Sequence, residues 1–153
     1  MKIIENSSLF DVERPPFEYR FDGAEFYYRK NRKYSRHRPL FLEPPIQELL
    51  YTTGVYEVGL LPGAHYLRRN APFLSVEYVQ EGNLYVRMAG RMYELSAGDV
   101  ALLQPFSTGE FMTGREFQCR KLSVTIHGRL LCEFLRQSGV DRVDVAENVN
   151  STR

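Results

Sequence analysis

Apolar and polar residues alternate along much of the middle of the chain. In EGNLYVRMAGRMYELSAGDVALLQPF, from Glu81 to Phe106, a glycine recurs at every eighth position, at Gly82, Gly90 and Gly98. Alternation with a period of two is typical of strands with one buried face, and glycine supplies the positive φ that tight turns require. Residues 54–127 are therefore predicted to form six short strands, which are VYEVGLLP, FLSVEYVQ, LYVRM, RMYEL, VALLQ and EFQCRKLSVTI.

Turn-forming residues separate these predicted strands. The turns are predicted at Pro62-Gly63, Glu81-Gly82-Asn83, Ala89-Gly90 and Ser96-Ala97-Gly98-Asp99. Short strands at a regular spacing of about 8–12 residues favour a sandwich or a barrel. Strands with one polar and one apolar face suit a closed antiparallel roll. The predicted fold class is therefore mainly β, a jelly-roll-like barrel over residues 51–127.

The segments on either side of the barrel have a different pattern. Residues 1–50 carry five of the prolines and no clear periodicity, so we expect an irregular segment that packs on the barrel. In residues 128–153, the sequence GRLLCEFLRQSG has apolar residues at helical spacing, and Gly139 is suited to end a helix. We expect one short C-terminal helix followed by the end of a linker.

A basic and aromatic cluster, YYRKNRKYSRHR, lies within the N-terminal segment, from Tyr27 to Arg38. Basic residues interleaved with aromatic ones can bind phosphates and stack on bases. The cluster is short, however, and we favour a solvated loop or a β-hairpin that turns near Lys30-Asn31. The sequence leaves the role of residues 29–38 open.

Composition places the chain among ordinary globular domains. It has 153 residues, of which 43% are hydrophobic and 25% charged, with a formal net charge of +1. Such a charge gives no general attraction to nucleic acid or to an anionic membrane. The two cysteines form no disulfide framework, and no stretch resembles a signal peptide or a membrane span. We therefore expect a cytoplasmic protein without a membrane partner.

The run VEYVQEGNLYVRMAGRMYELSAGDVALLQPF resembles the N-terminal cupin domain of AraC-type transcription regulators. In that family a Glu-Gly turn, a hairpin, a Gly-Asp turn, an apolar strand and a proline follow in order. Here these are Glu81-Gly82, Ala89-Gly90, Gly98-Asp99, Leu102-Leu103 and Pro105. The resemblance implies a cupin-type jelly-roll barrel with a C-terminal helix, which senses a small-molecule effector such as a sugar or a small acid.

Candidate ligand-binding residues come from strand parity and from the resemblance. Parity separates Tyr78 from Ser75 and Glu77, and it groups Tyr85 with Arg87 on one face. The resemblance adds an arginine ahead of the Glu-Gly strand, the region after Pro105 and the last long strand. The resulting candidates are Arg69 (or its neighbour Arg68), Tyr78, Tyr85, Arg87, Glu110, Phe111, Lys121 and Ser123.

Histidine content bears on whether the domain is an enzyme. Metal-binding cupins carry a His-x-His pair, a glutamate and a further histidine after the proline. This chain has only His37, His65 and His127, none in that pattern. We expect no metal, no cofactor and no catalytic residue, and we interpret His65 as a residue flanking a turn. The alternative is a free-standing cupin enzyme, such as a sugar isomerase or a dioxygenase.

The resemblance also implies assembly and DNA binding. In the family, helices after the barrel pair across a two-fold axis, so Leu130, Leu131, Phe134 and Leu135 are the predicted interface of a homodimer. Regulators of this type bind DNA through a C-terminal domain with two helix-turn-helix units. No such domain is present in the sequence, and we expect this chain to be the sensing part of a longer regulator.

Overall fold

The computed structural model describes residues 2–3, 19–21, 23–29, 32–39, 49–116 and 118–149. Strands dominate this part of the chain, and one α-helix lies near its carboxyl end. The strands are β1 (Lys2–Ile3), β2 (Tyr19–Phe21), β3 (Ala24–Arg29), β4 (Arg32–Pro39), β5 (Tyr51–Leu60), β6 (His65–Arg69), β7 (Leu74–Met88), β8 (Arg91–Ser96), β9 (Val100–Leu103), β10 (Thr108–Met112), β11 (Cys119–His127) and β12 (Val145–Ala146). The helix α1 spans Leu131–Ser138, and a 3-10 turn spans Val140–Arg142.

Two antiparallel sheets share strand β7. Sheet A has the order β1-β8-β7-β10-β6-β3-β2, and sheet B has the order β12-β9-β7-β11-β5-β4. The sheets curl around a core to which both contribute, formed by Val79, Leu84, Val86, Met88, Tyr93, Leu95, Ala101, Leu103, Phe111 and Cys119. The architecture confirms the prediction of a mainly β jelly-roll barrel with a C-terminal helix.

The prediction of a turn at Glu81-Gly82-Asn83 was wrong, because β7 continues through these residues. Residues before Gly82 pair with β11 and β9 in sheet B, whereas residues after it pair with β8 and β10 in sheet A. Gly82 has a φ of 73°. Its left-handed conformation bends the strand from one sheet into the other without forming a hairpin.

The predicted hairpin at Ala89-Gly90 is confirmed. It joins β7 to β8, and Arg91 pairs with Met88 across the turn. Ala89 and Gly90 have φ values of 49° and 75°, respectively. Two consecutive positive φ values are the signature of the type I′ turn, whose twist matches that of the flanking strands.

The N-terminal segment contributes more than the sequence predicted. Residues 1–50 were expected to be irregular, but β3 pairs with β6 in sheet A and β4 pairs with β5 in sheet B. Strands therefore do flank Lys30-Asn31, as predicted, yet they join different sheets and do not form a hairpin with each other. Pairing with a distant strand is invisible to local periodicity, which explains why the expectation failed.

The C-terminal segment agrees in part with its prediction. Helix α1 ends at Gly139, which has a φ of 74° and whose N–H donates to the Arg136 carbonyl, as the sequence predicted. After it, the chain returns to sheet B, where β12 pairs with β9. No helix in the described residues is both long and apolar enough to cross a membrane.

Replacing Gly82 with alanine tests the bend in β7. A Cβ atom at Gly82 would meet the backbone carbonyl of Gln118, whereas at Gly90 it would meet no described atom within 4 Å. Both glycines have nearly the same φ, so Gly90→Ala is the matched control for conformational strain alone, about 1–2 kcal/mol. We expect Gly82→Ala to lower the free energy of unfolding by about 1–3 kcal/mol more than the control. Urea denaturation measures this difference, and equal losses would contradict the tight approach at Gly82.

Candidate ligand cavity

A cavity of about 470 Å³ lies between the two sheets. Strands of both sheets contribute to its walls, so the cavity occupies the interior of the barrel. Its lining is formed by Ser35, Thr53, Tyr56, Val58, Leu60, Ala64, His65, Tyr66, Phe73, Ser75, Glu77, Phe111, Lys121, Ser123, Thr125 and His127.

Strand β11 contributes every second residue to the cavity. Lys121, Ser123, Thr125 and His127 line it, whereas Ile126 packs against Leu131 and Leu135 of α1. This alternation follows from the pleat of a strand, in which successive side chains point to opposite faces. One face of sheet B therefore directs largely polar side chains of β11 into the cavity, and the other face provides apolar side chains against which α1 packs.

A buried carboxylate organises the polar side of the cavity. Glu77 is 3% exposed and forms an ion pair with the Lys121 ammonium. Its other contacts are the hydroxyls of Ser75, which donates at 2.6 Å, and Ser123. The Lys121 Nζ also donates to the Ser123 Oγ at 3.0 Å.

The register of β7 and β11 explains this cluster. Ser123 lies directly opposite Glu77, and Thr125 lies opposite Ser75. Directly opposed residues in an antiparallel pair share a face, and their Cβ atoms lie about 5 Å apart. The charges of Glu77 and Lys121 compensate each other, as buried charges generally require.

Aromatic rings form other parts of the wall. Phe111 is buried, its ring centroid lies 5.7 Å from that of Tyr66, and the Lys121 Nζ lies 4.8 Å above it. His127, at the end of β11, stacks on Tyr51 at 5.2 Å and contacts Phe73 at 4.8 Å. Burial lowers the pKa of His127 from its ordinary value, because desolvation disfavours the charged ring.

Arg68 lies behind the cavity wall and is 1% exposed. Its Nη2 donates to the carbonyl oxygens of Leu103 and Gln104, both at 2.7 Å. Its guanidinium carbon lies 5.0 Å from the ring centroid of Phe73, which lines the cavity. Burial is the main cause that lowers the pKa of Arg68 to about 10.

Five of the predicted ligand-binding residues lie at cavities. Phe111 and Lys121 line the cavity inside the barrel. Arg87 and Glu110 instead line a second cavity of about 470 Å³, together with Asp141 and Asp144. Ser123, which the resemblance also suggested, lies in the first cavity beside Lys121.

His65 joins the two cavities through Glu110. The His65 Nε2 lies 2.7 Å from one carboxylate oxygen of Glu110, and the Arg87 Nη1 donates to the other at 3.0 Å. His65 itself lines the first cavity and is 6% exposed. His65 follows the turn at Pro62-Gly63, as expected, and in addition it begins β6 and contacts the buried carboxylate of Glu110.

Three predicted residues line neither cavity. Arg69 is exposed, and its Nη1 lies 3.6 Å from a carboxylate oxygen of Glu25. Tyr85 donates from its hydroxyl to Glu94 at 3.3 Å, and its pKa is raised by burial and by that carboxylate. Tyr78 is half-buried on the face of β7 opposite Glu77. Of the two arginines that the sequence offered as alternatives, Arg68 is buried and Arg69 is exposed.

The principal residue that the sequence analysis missed is Glu77. Strand parity grouped Ser75 with Glu77 and separated them from Tyr78, which was the available signal. Parity does not tell which of the two faces lies inside when both are partly apolar. In the structure, Glu77 and not Tyr78 lines the cavity, and Lys121 compensates the charge of its carboxylate.

The predicted interface residues on α1 divide into two pairs. Leu131 and Leu135 are each 2% exposed and pack against Leu74 and Ile126 of sheet B. Leu130 and Phe134 are 44% and 52% exposed, respectively. Only the second pair is thus available to a partner chain, because the first pair is already buried on the barrel.

The described residues contain no group of three or more His, Cys, Asp or Glu side chains placed to hold a metal ion. Cys119 is buried, and desolvation raises the pKa of its thiol to about 11, so this thiol is not a nucleophile near neutral pH.

The fold, with a cavity between its two sheets, defines the class of protein, a cupin-type jelly roll. The sequence profile of the AraC-like ligand binding domain matches residues 60–150, more than half of the chain. The chain therefore belongs to the family of AraC-like ligand-binding domains, which confirms the resemblance seen in its motifs. Comparison with curated proteins finds no relative of significant similarity.

Several solved structures have a similar fold. YhaK from Escherichia coli has a TM-score of 0.50 and 18% identity, over 63% of this chain and 44% of that chain. A predicted oxalate decarboxylase from Thermotoga maritima has a TM-score of 0.49 and 15% identity, over 68% of this chain and 80% of that one. A cupin-2 domain of an XRE family transcriptional regulator from Enterobacter cloacae has a TM-score of 0.46 and 18% identity, over 61% of this chain and 95% of that chain. At such identities the likeness concerns the fold alone.

The Glu77–Lys121 pair can be tested by a double-mutant cycle. Lys121→Met leaves the Glu77 carboxylate buried without its cation, and we expect it to lower the free energy of unfolding by about 3–5 kcal/mol. The double variant Glu77→Gln/Lys121→Met removes both charges and should lose clearly less than the two single losses added together. Chemical denaturation of the four proteins measures the coupling, and strictly additive losses would show that the pair does not organise the cavity.

Proposed function

We propose that this chain is the sensing domain of an AraC-type transcription regulator and that it binds a small-molecule effector in the cavity inside the barrel. The observation that carries this proposal is the buried Glu77–Lys121 cluster at an aromatic-walled cavity within a member of this family. Ligand cavities are typically about 300–1,000 Å³, mostly apolar, with a few polar groups that fix orientation. The cavity of about 470 Å³ fits that description.

The polar groups on β7 and β11 support recognition rather than catalysis. The carboxylate of Glu77 is engaged by Lys121 and by the hydroxyls of Ser75 and Ser123. A catalytic acid or base must exchange a proton with its substrate, and a carboxylate held by three partners is poorly suited to that. We therefore infer that the effector is bound without being transformed, and that the domain acts in the cytoplasm beside a separate DNA-binding domain.

Binding can be detected with a panel of sugars, small acids and aromatic compounds. A ligand that binds only the folded domain raises its melting temperature, and the stabilisation grows with the logarithm of the ratio of ligand concentration to Kd. For a compound that does so, Ser123→Ala should weaken binding roughly fivefold, because one hydrogen bond contributes about 1 kcal/mol. Arg136→Ala, on the exposed side of α1, is the control and should bind normally. If every compound that binds does so equally well to Ser123→Ala, the effector lies elsewhere.

We further propose that the domain forms a homodimer through α1. Leu130 and Phe134 are four residues apart, so they lie on the same side of the helix. Both are exposed, while Leu131 and Leu135 hold the opposite side of α1 on sheet B. A two-fold contact would bring the same pair of side chains together from each chain and remove them from water.

Charge substitutions at the two faces of α1 separate association from folding. We expect Phe134→Glu to remain folded and to become monomeric, because it places a charge in the proposed contact. Leu131→Glu should instead unfold the domain, since burying an unpaired carboxylate at this position is strongly unfavourable. Analytical ultracentrifugation and circular dichroism provide the two measurements. A wild-type domain that is monomeric at high micromolar concentration would exclude this dimer.

A further inference from the structure

One buried cation of the barrel has no described carboxylate beside it. Around the cavity, Glu77 and Lys121 form an ion pair, and Glu110 likewise pairs with Arg87. Arg68 is 1% exposed, and no carboxylate among the described residues lies within ion-pair distance of it. Unlike Lys121 and Arg87, Arg68 is therefore a buried cation without a counter-ion in the described part of the chain.

The hydrogen bonds of Arg68 are also incomplete. Its Nη2 is used by the carbonyl oxygens of Leu103 and Gln104. In contrast, its Nε and Nη1 are buried and have no hydrogen-bond partner in the described part of the molecule. Buried arginines are usually paired with an anion, and leaving charged donors without acceptors costs free energy. The two free donors thus mark a place for a negatively charged acceptor.

Phe73 lies beside both Arg68 and the cavity. Its ring lies 5.0 Å from the guanidinium carbon of Arg68, and the same ring lines the cavity. Phe73 belongs to a bend immediately before β7, so its backbone is not fixed by a sheet ladder at that point. Rotation of this one side chain would open a path from the cavity to Arg68.

We propose that the effector is a small monocarboxylate with an apolar aromatic or alkyl body, whose carboxylate displaces the Phe73 ring and accepts hydrogen bonds from Arg68. This inference rests on the proposed sensing function and specifies its ligand. The apolar body occupies the space beside Tyr66 and Phe111, and the carboxylate supplies the missing negative charge. A neutral sugar could accept hydrogen bonds from the two free donors of Arg68, but it would leave the positive charge of Arg68 without a counter-ion.

Acids and their amides provide matched probes, because the two differ in charge and hardly in shape. The pairs are benzoate with benzamide, phenylacetate with phenylacetamide, and octanoate with octanamide, compared by calorimetry and by thermal shift near neutral pH. We expect at least one acid to bind roughly tenfold or more tightly than its amide. Equal binding of acid and amide in all three pairs, or no binding of any acid, would overturn the inference.

Variants locate the charge that is responsible. Arg68→Met should abolish the tighter binding of the acid relative to its amide. Lys121→Gln should leave the ratio of the two affinities unchanged. A preference that survives in Arg68→Met, or that disappears only in Lys121→Gln, would overturn the assignment to Arg68. Because Arg68 also holds two carbonyl groups, Arg68→Met could fail to fold. Phe73→Ala then decides, because removing the ring beside Arg68 should increase the ratio of acid affinity to amide affinity. An unchanged ratio of affinities would count against the proposal.

The same experiment distinguishes this inference from the proposed function. Stabilisation by sugars alone, lost in Ser123→Ala, would reject a carboxylate effector and retain a sensing domain with a neutral ligand. Stabilisation by acids that is insensitive to Ser123→Ala and to Arg68→Met would place the ligand outside the barrel and reject both.

Discussion

Strand β7 belongs to both sheets, and its bend at Gly82 is the constraint on which the barrel and its cavity depend. Before the bend, β7 places Ser75 and Glu77 opposite β11 and so builds the polar wall of the cavity. After the bend, it carries Leu84 and Val86 into the apolar core. A straight strand could not serve both sheets, because the sheets face each other across the interior. The left-handed conformation of one glycine thereby connects folding to ligand recognition.

Electrostatics within the barrel is arranged in pairs. Glu77 is compensated by Lys121 and Glu110 by Arg87, which allows ionised groups to remain in an environment from which water is largely excluded. Such ion pairs place hydrogen-bonding groups in fixed positions without creating a large net electric field. Arg68 departs from this arrangement, since its cation is compensated only by carbonyl dipoles and by the face of Phe73. An unbalanced buried charge is a place where a ligand can stabilise the fold as it binds.

Sheet B connects the cavity to the outside of the domain. Lys121 and Ser123 face the cavity, while Ile126 and Leu74 seat Leu131 and Leu135 of α1 on the other face. His127 ends β11 within the cavity wall, and α1 begins four residues later. The same strand thus lines the cavity and supports the helix, which is a short physical route from the proposed effector to the proposed interface between chains.

The sequence by itself determined the class of fold, because alternation, glycine spacing and helical periodicity are local properties that the backbone must obey. Helical periodicity and Gly139 also predicted the αL end of α1, and the resemblance suggested Phe111 and Lys121, which line the cavity. Only the tertiary structure decided that Glu77 rather than Tyr78 faces the cavity, that Arg68 rather than Arg69 is buried, and that β3 and β4 enter different sheets. In each case the two options have the same local pattern. The choice depends on residues that are distant along the chain, such as Lys121, which pairs with Glu77 from the neighbouring strand β11, and such partners leave no mark on local periodicity.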